Sequence, residues 1–557
     1  MEEKVKRIKE LVEQEIFASI DFYFASILLK EFSIEIQKKS LFLLSYLLAS
    51  ARHGHLCIRS LHENIVPSPD FLTSNVVIKK EIEKEILEGM QDLPKNLCQE
   101  MNDEECLSAL TPLCLYKNLL YLQKNWLLET KFLFHVKRIA KSELRFSLSK
   151  LCDLSPKLND KQKEAVLLAL KSPLCCISGG PGTGKTFTAA EIVKTFVGSL
   201  SGEQKKTALI KIAAPTGKAA VHLEKNIICD LDPSIQVECG TLHSLLQITS
   251  KQKFRQKGPT LFADLFLIDE ASMLDAALFS KLLDSLQEGG RLIFMGDKHQ
   301  LPPVESGAFF ADLIDKAQDI KIASITLQEC LRVEKKELID FAEDVFQGEA
   351  KKVLSSPFVR CFSSFSIQEI RELLWHRCQM FFTQEPLEMH RFRILSCLRK
   401  GLLGVESLNE MILQRFLEGK EEDSFFSVPI LITENSESMQ LMNGDTGYVV
   451  AKISSLKKNQ FTSEDKAYFS TRFFSALLLP SFEWGYCLSV HKSQGSEYDF
   501  VVALAPSGSE NFGREVLYTA ITRAKKEILL MGEESTLNSL LSKQSRKQSG
   551  LFQRLVF

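Results

Sequence analysis

The 557-residue sequence has no apolar run approaching the roughly 20 residues needed to span a bilayer, so a membrane-spanning helix is not expected. Its opening, MEEKVKRIKELVEQE, is too charged for a secretory leader, and a cytoplasmic protein is the simple expectation. Paired cysteines are missing as well. The 14 cysteines, among them Cys57, Cys98, Cys229, Cys397 and Cys487, are scattered, and none has zinc-site spacing. Adjacent Cys175 and Cys176 fall in an apolar run. The set reads as small core hydrophobes in a reducing compartment. Net charge is nearly absent too: 69 basic against 71 acidic side chains give −2. That excludes a uniformly basic surface but leaves room for a local basic groove. There is no repeat of solenoid period and no low-complexity tract.

What is present is an ordinary globular composition, 45% apolar and 25% charged. The length suits about three or four domains. Residues 1–150 read as mostly helical: IKELVEQEIFASIDFYFASILLKEF and KKSLFLLSYLLASARHG carry apolar stripes of helical period. LYKNLLYLQKNWLLETKFLFHVKRIA (115–140) reads as a further aromatic-rich amphipathic stretch, suited to internal packing or to a partner interface. SPKLND then reads as a linker into a second region, 151–340, where LCCISG, ALIKIAAP, LFLIDE and RLIFMGD are continuous apolar runs. Such runs mark a parallel sheet covered on both faces. Residues 221–260, including the basic KQKFRQKGP, interrupt this pattern as a small inserted hairpin or a surface loop. A second α/β region, 341–540, contains VPILITEN, YCLSVHKSQGSEYDFVVALAP and VLYTAITRAKKEILLMG, with a β-rich insert near 443–484. LSKQSRKQSGLFQRLVF (541–557) reads as a loosely attached tail. The expected fold is therefore α/β: two parallel-sheet domains behind a helical N-terminal domain.

CISGGPGTGKT (176–186) carries the first chemistry. Gly179, Gly180, Pro181, Gly182, Thr183, Gly184, Lys185 and Thr186 satisfy G-x-x-x-x-G-K-T between a strand and a helix. In that setting backbone N–H groups and a helix N-terminus cradle ATP phosphates, Lys185 neutralises their outer oxygens, and Thr186 helps hold Mg²⁺. A phosphate loop needs an acidic partner on a neighbouring strand. LFLIDE supplies Asp269 as a second Mg²⁺ ligand and Glu270 to polarise the attacking water. The adjacent carboxylates point to hydrolysis rather than to phosphoryl transfer onto a small metabolite. In RLIFMGDKHQLPPV, Gln300 sits in a loop stiffened by Pro302 and Pro303, placed to sense the γ-phosphate.

The GDKHQLPPV string resembles the corresponding motif of superfamily 1 helicases, and six further segments follow in the family's order. By that resemblance, Gln162 in LNDKQKEAV reads adenine, and Thr216 and Lys218 in IAAPTGKAA lie by a nucleic-acid backbone. Thr241 and His243 in GTLHSLL are further backbone contacts, while Arg332 in LQECLRVE and Arg523 in YTAITRAKK meet the γ-phosphate across a cleft. His491, Lys492, Ser493 and Gln494 in VHKSQGSEYD couple nucleotide to DNA, and Asn435 of LITEN joins the DNA contacts. Cysteine precedes the leucine–arginine pair at 331–332, which makes Arg332 the looser match of the two arginines.

The combination GDxxQLPPV, LITxN, NGDTG, VHKSQGSEYD and YTAITRAKK is similar to the RecD branch of that superfamily. The branch implies two RecA-like P-loop motor domains, an SH3-like β insert beginning at Asn443–Asp445, and 5′→3′ movement on single-stranded DNA. DFYFASILL, SYLLASARHGHLCI and LLYLQKNWLLE resemble the N-terminal domain of those members that dock onto RecC, beside the motor and nuclease subunit RecB, in exodeoxyribonuclease V. Trp126 and Glu129 lie in the most recognisable part. The match is weak over 1–150, poorest around 60–114, and strong over 160–535. No paired-carboxylate nuclease constellation is visible, so DNA degradation is expected of a partner. Two other readings stay open: a stand-alone helicase of the same branch, and a catalytically weak scaffold subunit.

Overall fold

The computed structural model describes residues 2–34, 38–62, 64–73, 75–102, 109–148, 151–227, 231–232, 235–248, 260–329, 336–362, 365–382, 388–436, 438–469 and 472–555. Arg332, residues 103–108 and KQKFRQKGP lie outside the described residues. No helix among the described residues is long and apolar enough to cross a membrane.

The N-terminal region keeps the expected helices and adds a sheet to them. Helices Glu2–Glu13, Ser19–Glu31, Lys38–Arg52 and Val76–Gln91 pack with a five-stranded mixed sheet. The stretch 115–140 divides into strands Leu113–Tyr116 and Leu119–Leu122, followed by the helix Gln123–Ala140. Helical periodicity failed here because Lys117–Asn118 makes a two-residue hairpin turn. Tyr116 pairs with Leu119, and Lys117 takes a left-handed φ of 54°. On the following helix Trp126 and Phe132 face inward, while Phe134 is exposed. Phe132 packs against Phe279 and Phe309, with ring centroids 5.3 and 4.0 Å away, which seats the N-terminal region on the next domain.

That domain is a six-stranded parallel sheet in the order Ala323–Leu327, Leu174–Gly179, Arg291–Gly296, Leu265–Ile268, Leu209–Ala214, Gln236–Thr241. The central strands are buried along their whole length, as their unbroken apolar sequences require. Two readings are corrected. The acidic strand Leu265–Ile268 does not adjoin the phosphate-loop strand, because Arg291–Gly296 lies between them. And 221–260 holds no hairpin where it is described: it completes the helix Gly217–Ile227 and adds Gln236–Thr241 as a parallel edge strand.

The second parallel sheet runs Val359–Cys361, Ala524–Gly532, Tyr498–Ala505, Phe392–Ser396, Cys487–Ser489. VPILITEN is not part of it. Phe425–Ile432 instead pairs antiparallel with Thr446–Lys452 and Phe482–Trp484 in a separate five-stranded sheet. The alternating burial of Thr446–Lys452 is that of a sheet with one covered face.

The C-terminal segment is not loosely attached. Leu551 and Leu555 are buried, the Gly550 N–H donates to Glu129 Oε2 at 2.9 Å, and Arg554 lies 3.6 Å from the Trp126 ring centroid. Its polar composition resembled a tail because hydrogen bonds and the ion pairs of Arg546 and Arg554 anchor it beside the two buried leucines.

Candidate active site

The phosphate loop leaves the sheet at Gly179 and enters the helix Lys185–Ser199 through Gly184, whose φ of 78° is left-handed and strained for any side chain. Lys185 Nζ donates to the carbonyls of Gly179 and Gly180 at 2.6 and 3.1 Å, so the ammonium lies across its own loop. Thr186 is half-buried in the first helical turn. Gln162 holds the loop from beneath. Its side chain is fully buried, its Nε2 donates to Thr183 O at 3.1 Å, and its Oε1 accepts the Asn159 N–H in a capping box. The structure therefore gives Gln162 a supporting place under the loop, with both amide ends engaged.

Asp269 and Glu270 follow the strand Leu265–Ile268. Burial, and next the neighbouring Glu270, push the Asp269 carboxyl up to about 6, against the opposing effect of nearby Lys185. Glu270 has a φ of 52°, uncommon for a residue with a side chain, and donates its N–H to Asp269 Oδ1 at 2.8 Å. Four side-chain atoms in this region are buried without a protein partner: Glu270 Oε2, Gln300 Oε1, Ser178 Oγ and Ser272 Oγ. Buried oxygens of this kind are rare unless a ligand or ion completes them. They suit a hydrated cation and a polyphosphate beside Lys185. Among the described residues no group of three or more acidic, histidine or cysteine side chains is placed to hold a metal, so a cation here would rest on Asp269, Thr186 and the phosphates.

The second parallel-sheet domain closes this site from the other side. A cavity of about 480 Å³ opens between the phosphate loop, Thr326–Gln328, the helix Lys336–Gln347, Tyr518 and Lys525. Tyr518, on the helix Arg514–Ile521, donates its hydroxyl to Asp297 Oδ2 at 3.2 Å. Thr519 Oγ1 accepts the Leu301 N–H at 2.9 Å, and Gln494 Nε2 reaches Leu301 O at 3.4 Å. Gln300 Nε2 donates to the same Asp297 Oδ2 at 3.3 Å. Arg523 is buried beside this contact, donating to Thr519 O at 3.2 Å and Ser496 O at 3.3 Å, so it ties its own helix to the 493–496 loop. Sequence reasoning missed Asp297, Tyr518 and Thr519 as site residues. All three stand inside motifs it had already singled out, and the signal was a tyrosine and a threonine beside the arginine motif.

Of the other candidates, Thr216 and Lys218 lie against the 495–496 turn. Thr216 Oγ1 accepts the Ala219 N–H at 3.3 Å, and Lys218 Nζ donates to Ser496 Oγ at 2.8 Å. A Cβ added to Gly217 would stand 2.4 Å from Met442, so the small sheet's loop presses directly on this helix start. Asn435 is exposed and accepts the Asn443 N–H at 2.7 Å. Lys492 pairs with Glu483 at 2.7 Å, and half-buried His491 is lowered below its ordinary range, by burial first and then by Lys547. Thr241 caps the helix Leu242–Leu245, on which His243 is exposed. Ser493 is corrected: it is fully buried, and its hydroxyl donates to Val490 O at 2.7 Å, so it holds the turn instead of facing a ligand.

The fold and site define the class. Two lobes built on parallel sheets, consistent with tandem RecA-like P-loop domains, meet over one nucleotide site, and the protein is an ATP-dependent helicase. A model of the AAA domain matches residues 157–357. A model of the UvrD-like helicase C-terminal domain matches 485–531. More particularly, the chain is homologous to RecD-family helicases of superfamily 1. It is 28% identical to the RecBCD enzyme subunit RecD of Mycolicibacterium smegmatis over 79% of this chain and 83% of that one. It is 26% identical to the RecBCD enzyme subunit RecD of Haemophilus influenzae over 98% of each. It is 27% identical to the ATP-dependent RecD2 DNA helicase of Deinococcus radiodurans over 69% of this chain and 50% of that one. Among solved structures, Pif1 helicase from Bacteroides in complex with ADP-AlF3 and ssDNA covers 68% of this chain at 16% identity, with a TM-score of 0.41.

Proposed function

We propose that the protein is a 5′→3′ DNA translocase and helicase that works as the RecD-like subunit of an exodeoxyribonuclease V complex. There it opens double-strand ends for recombinational repair and degradation, with the nuclease in a partner. The observation that supports the ATPase part is that Lys185 lies by Asp269 and the orphaned Glu270, while Gln300 and Tyr518 meet on Asp297.

In this reading the phosphate loop and Lys185 hold the phosphates, and Thr186 and Asp269 hold Mg²⁺. Bound there, the ion neutralises charge on the β- and γ-phosphate oxygens. Glu270, with one carboxylate oxygen buried and unpaired, takes a proton from the attacking water. Gln300 and Asp297 report the phosphate to Tyr518 and Thr519, so the cleft narrows or relaxes with each cycle. Arg523 acts from the second domain, and Arg332 is its proposed companion by sequence alone. Thr216, Lys218, Thr241, His243, Asn435, His491 and Lys492 form the rim on which a single-stranded backbone shifts. Such contacts are salt-sensitive and carry little base information. The small antiparallel sheet that presses on Gly217 is proposed as the SH3-like accessory domain of the branch.

Support for the subunit reading comes from the near-complete mutual coverage with RecD subunits, against half the length of the RecD2 helicase. The test is strand displacement on duplexes with a 5′ or a 3′ single-stranded tail, with and without RecB and RecC. Opening of 5′-tailed duplex together with stable assembly onto RecC is expected. Efficient 5′-tailed unwinding without assembly would instead identify a stand-alone helicase, and a preference for 3′ tails would overturn the polarity.

A further inference from the structure

The last described residues cross three parts of the molecule in succession. Lys543 O accepts the Arg514 N–H at 3.0 Å, and Ser545 Oγ accepts the Gly513 N–H at 2.7 Å. The Ser545 N–H donates to Glu515 Oε2 at 2.8 Å, so this end is held on the second parallel-sheet domain, at the start of the helix that carries Tyr518 and Thr519. One residue on, Arg546 Nη2 donates to Asp312 Oδ1 and Asp315 Oδ2, both at 3.1 Å, on the first domain. Ser549 Oγ adds a 2.6 Å bond to Asp312 Oδ2. Beyond it, Gly550 and Arg554 are fixed to Glu129 of the N-terminal domain, each at 2.9 Å.

Asp315 joins this segment to the nucleotide cleft. Its Oδ1 accepts Lys298 Nζ at 2.9 Å, and Lys298 stands two residues before Gln300. The Gln300 loop is thus held from two directions. The helix Arg514–Ile521 holds Asp297 and Leu301, and the Arg546–Asp315–Lys298 relay holds the outer side. A cavity of about 130 Å³, lined by Asp297, Gln300, Asp315, Glu515 and Arg546 among others, lies between loop and strap and leaves the loop room to shift. Burial pushes the Asp312 carboxyl up to about 6 even with Arg546 and Ser549 bound, so the guanidinium is the cation that makes this buried acid tolerable.

We propose that residues 543–555 form a strap that couples the nucleotide cleft to the N-terminal domain, and that Arg546 is a positioning residue for ATP hydrolysis, acting on the Gln300 loop through Asp315 and Lys298. The proposal rests on the ATPase reading above. It gives the N-terminal domain a covalent and hydrogen-bonded route to the site that senses the phosphate, so that what binds that domain can alter the hydrolysis rate.

The test is steady-state ATP hydrolysis by the full chain at saturating single-stranded DNA, for wild type, Arg546→Ala, Arg546→Lys, Lys298→Ala, the Arg546→Ala/Lys298→Ala double variant and Gln300→Ala. Misplacing a catalytic loop lowers turnover rather than binding, so Arg546→Ala is expected to lower kcat about tenfold with KM for ATP within about twofold. Arg546→Lys is expected to recover most of the loss. Lys298→Ala should show the same defect, and the double variant should be no worse than the worse single, because both act through one carboxylate. Wild-type kcat in Arg546→Ala beside a defective Gln300→Ala overturns the proposal alone, as do losses that multiply in the double variant. A silent Gln300→Ala, or a wild type that DNA does not stimulate, overturns the ATPase reading and this proposal with it. Lys298 is at the partly exposed end of the relay, so the test stands even where Arg546→Ala does not fold.

Discussion

Each parallel sheet sends a buried strand into a loop and then a helix, yet the two loops do different things. After Leu174–Gly179, the glycine-rich turn brings Lys185 and Thr186 to the first helical turn beside two carboxylates. After Phe392–Ser396, CLRKGLLG leads into the helix Val405–Leu417, but there the helix-start amides are already used. Val405 and Glu406 donate to Leu398 O and Arg399 O, both at 3.1 Å. Arg399, the loop's arginine, is held by Glu406 at 2.6 Å and Glu483 at 2.8 Å. The strand–loop–helix architecture alone therefore does not make a phosphate site: in the second loop internal carbonyls and carboxylates take the helix-start amides and the arginine. One sheet carries the chemistry, and the other answers to it.

Exchanging the two lysines breaks this contrast most sharply. Lys185→Gln is expected to lower DNA-stimulated hydrolysis by about 100-fold or more, whereas Lys400→Gln in the second loop should leave it within about twofold. Glu270→Gln is next. Turnover should drop by about 100-fold while ATP still binds, as measured by KM and by equilibrium titration with a fluorescent nucleotide. Tyr518→Phe removes one hydroxyl between the sheets. A loss of about 1 kcal/mol, a few-fold in kcat, is expected. The smallest effect is one of pH. Asp312 has a folded pKa of about 6, above its ordinary 3.8, so ionising it penalises the fold. Its contribution therefore worsens as pH rises from about 4 to about 6 and is level above that. The unfolding midpoint of Asp312→Asn relative to wild type should rise across that window.

Much of the site was legible because phosphate chemistry demands particular residues at close spacing. Lys185, Asp269, Glu270 and Gln300 could be read from motifs that each follow an apolar strand. What was hidden depended on pairing across distance. Nothing local said that Arg291–Gly296 would enter between the two nucleotide-binding strands, or that Phe425–Ile432 would leave the parallel sheet. Tyr116–Leu119 closed a hairpin inside a stretch of helical period. Ser493 looked like a ligand contact because burial has no signature in a polar turn. The strap was the largest omission: Ser545, Arg546 and Arg554 belong to a polar segment whose partners lie 32, 231 and 425 residues away.

The most direct measurement of the central claim is ATP hydrolysis by the full chain with and without single-stranded DNA, for wild type and Lys185→Gln side by side. The account predicts hydrolysis that DNA stimulates in wild type and that is lost in Lys185→Gln at unchanged fold. Equal hydrolysis by both proteins, or none by folded wild type in the presence of DNA, would contradict it.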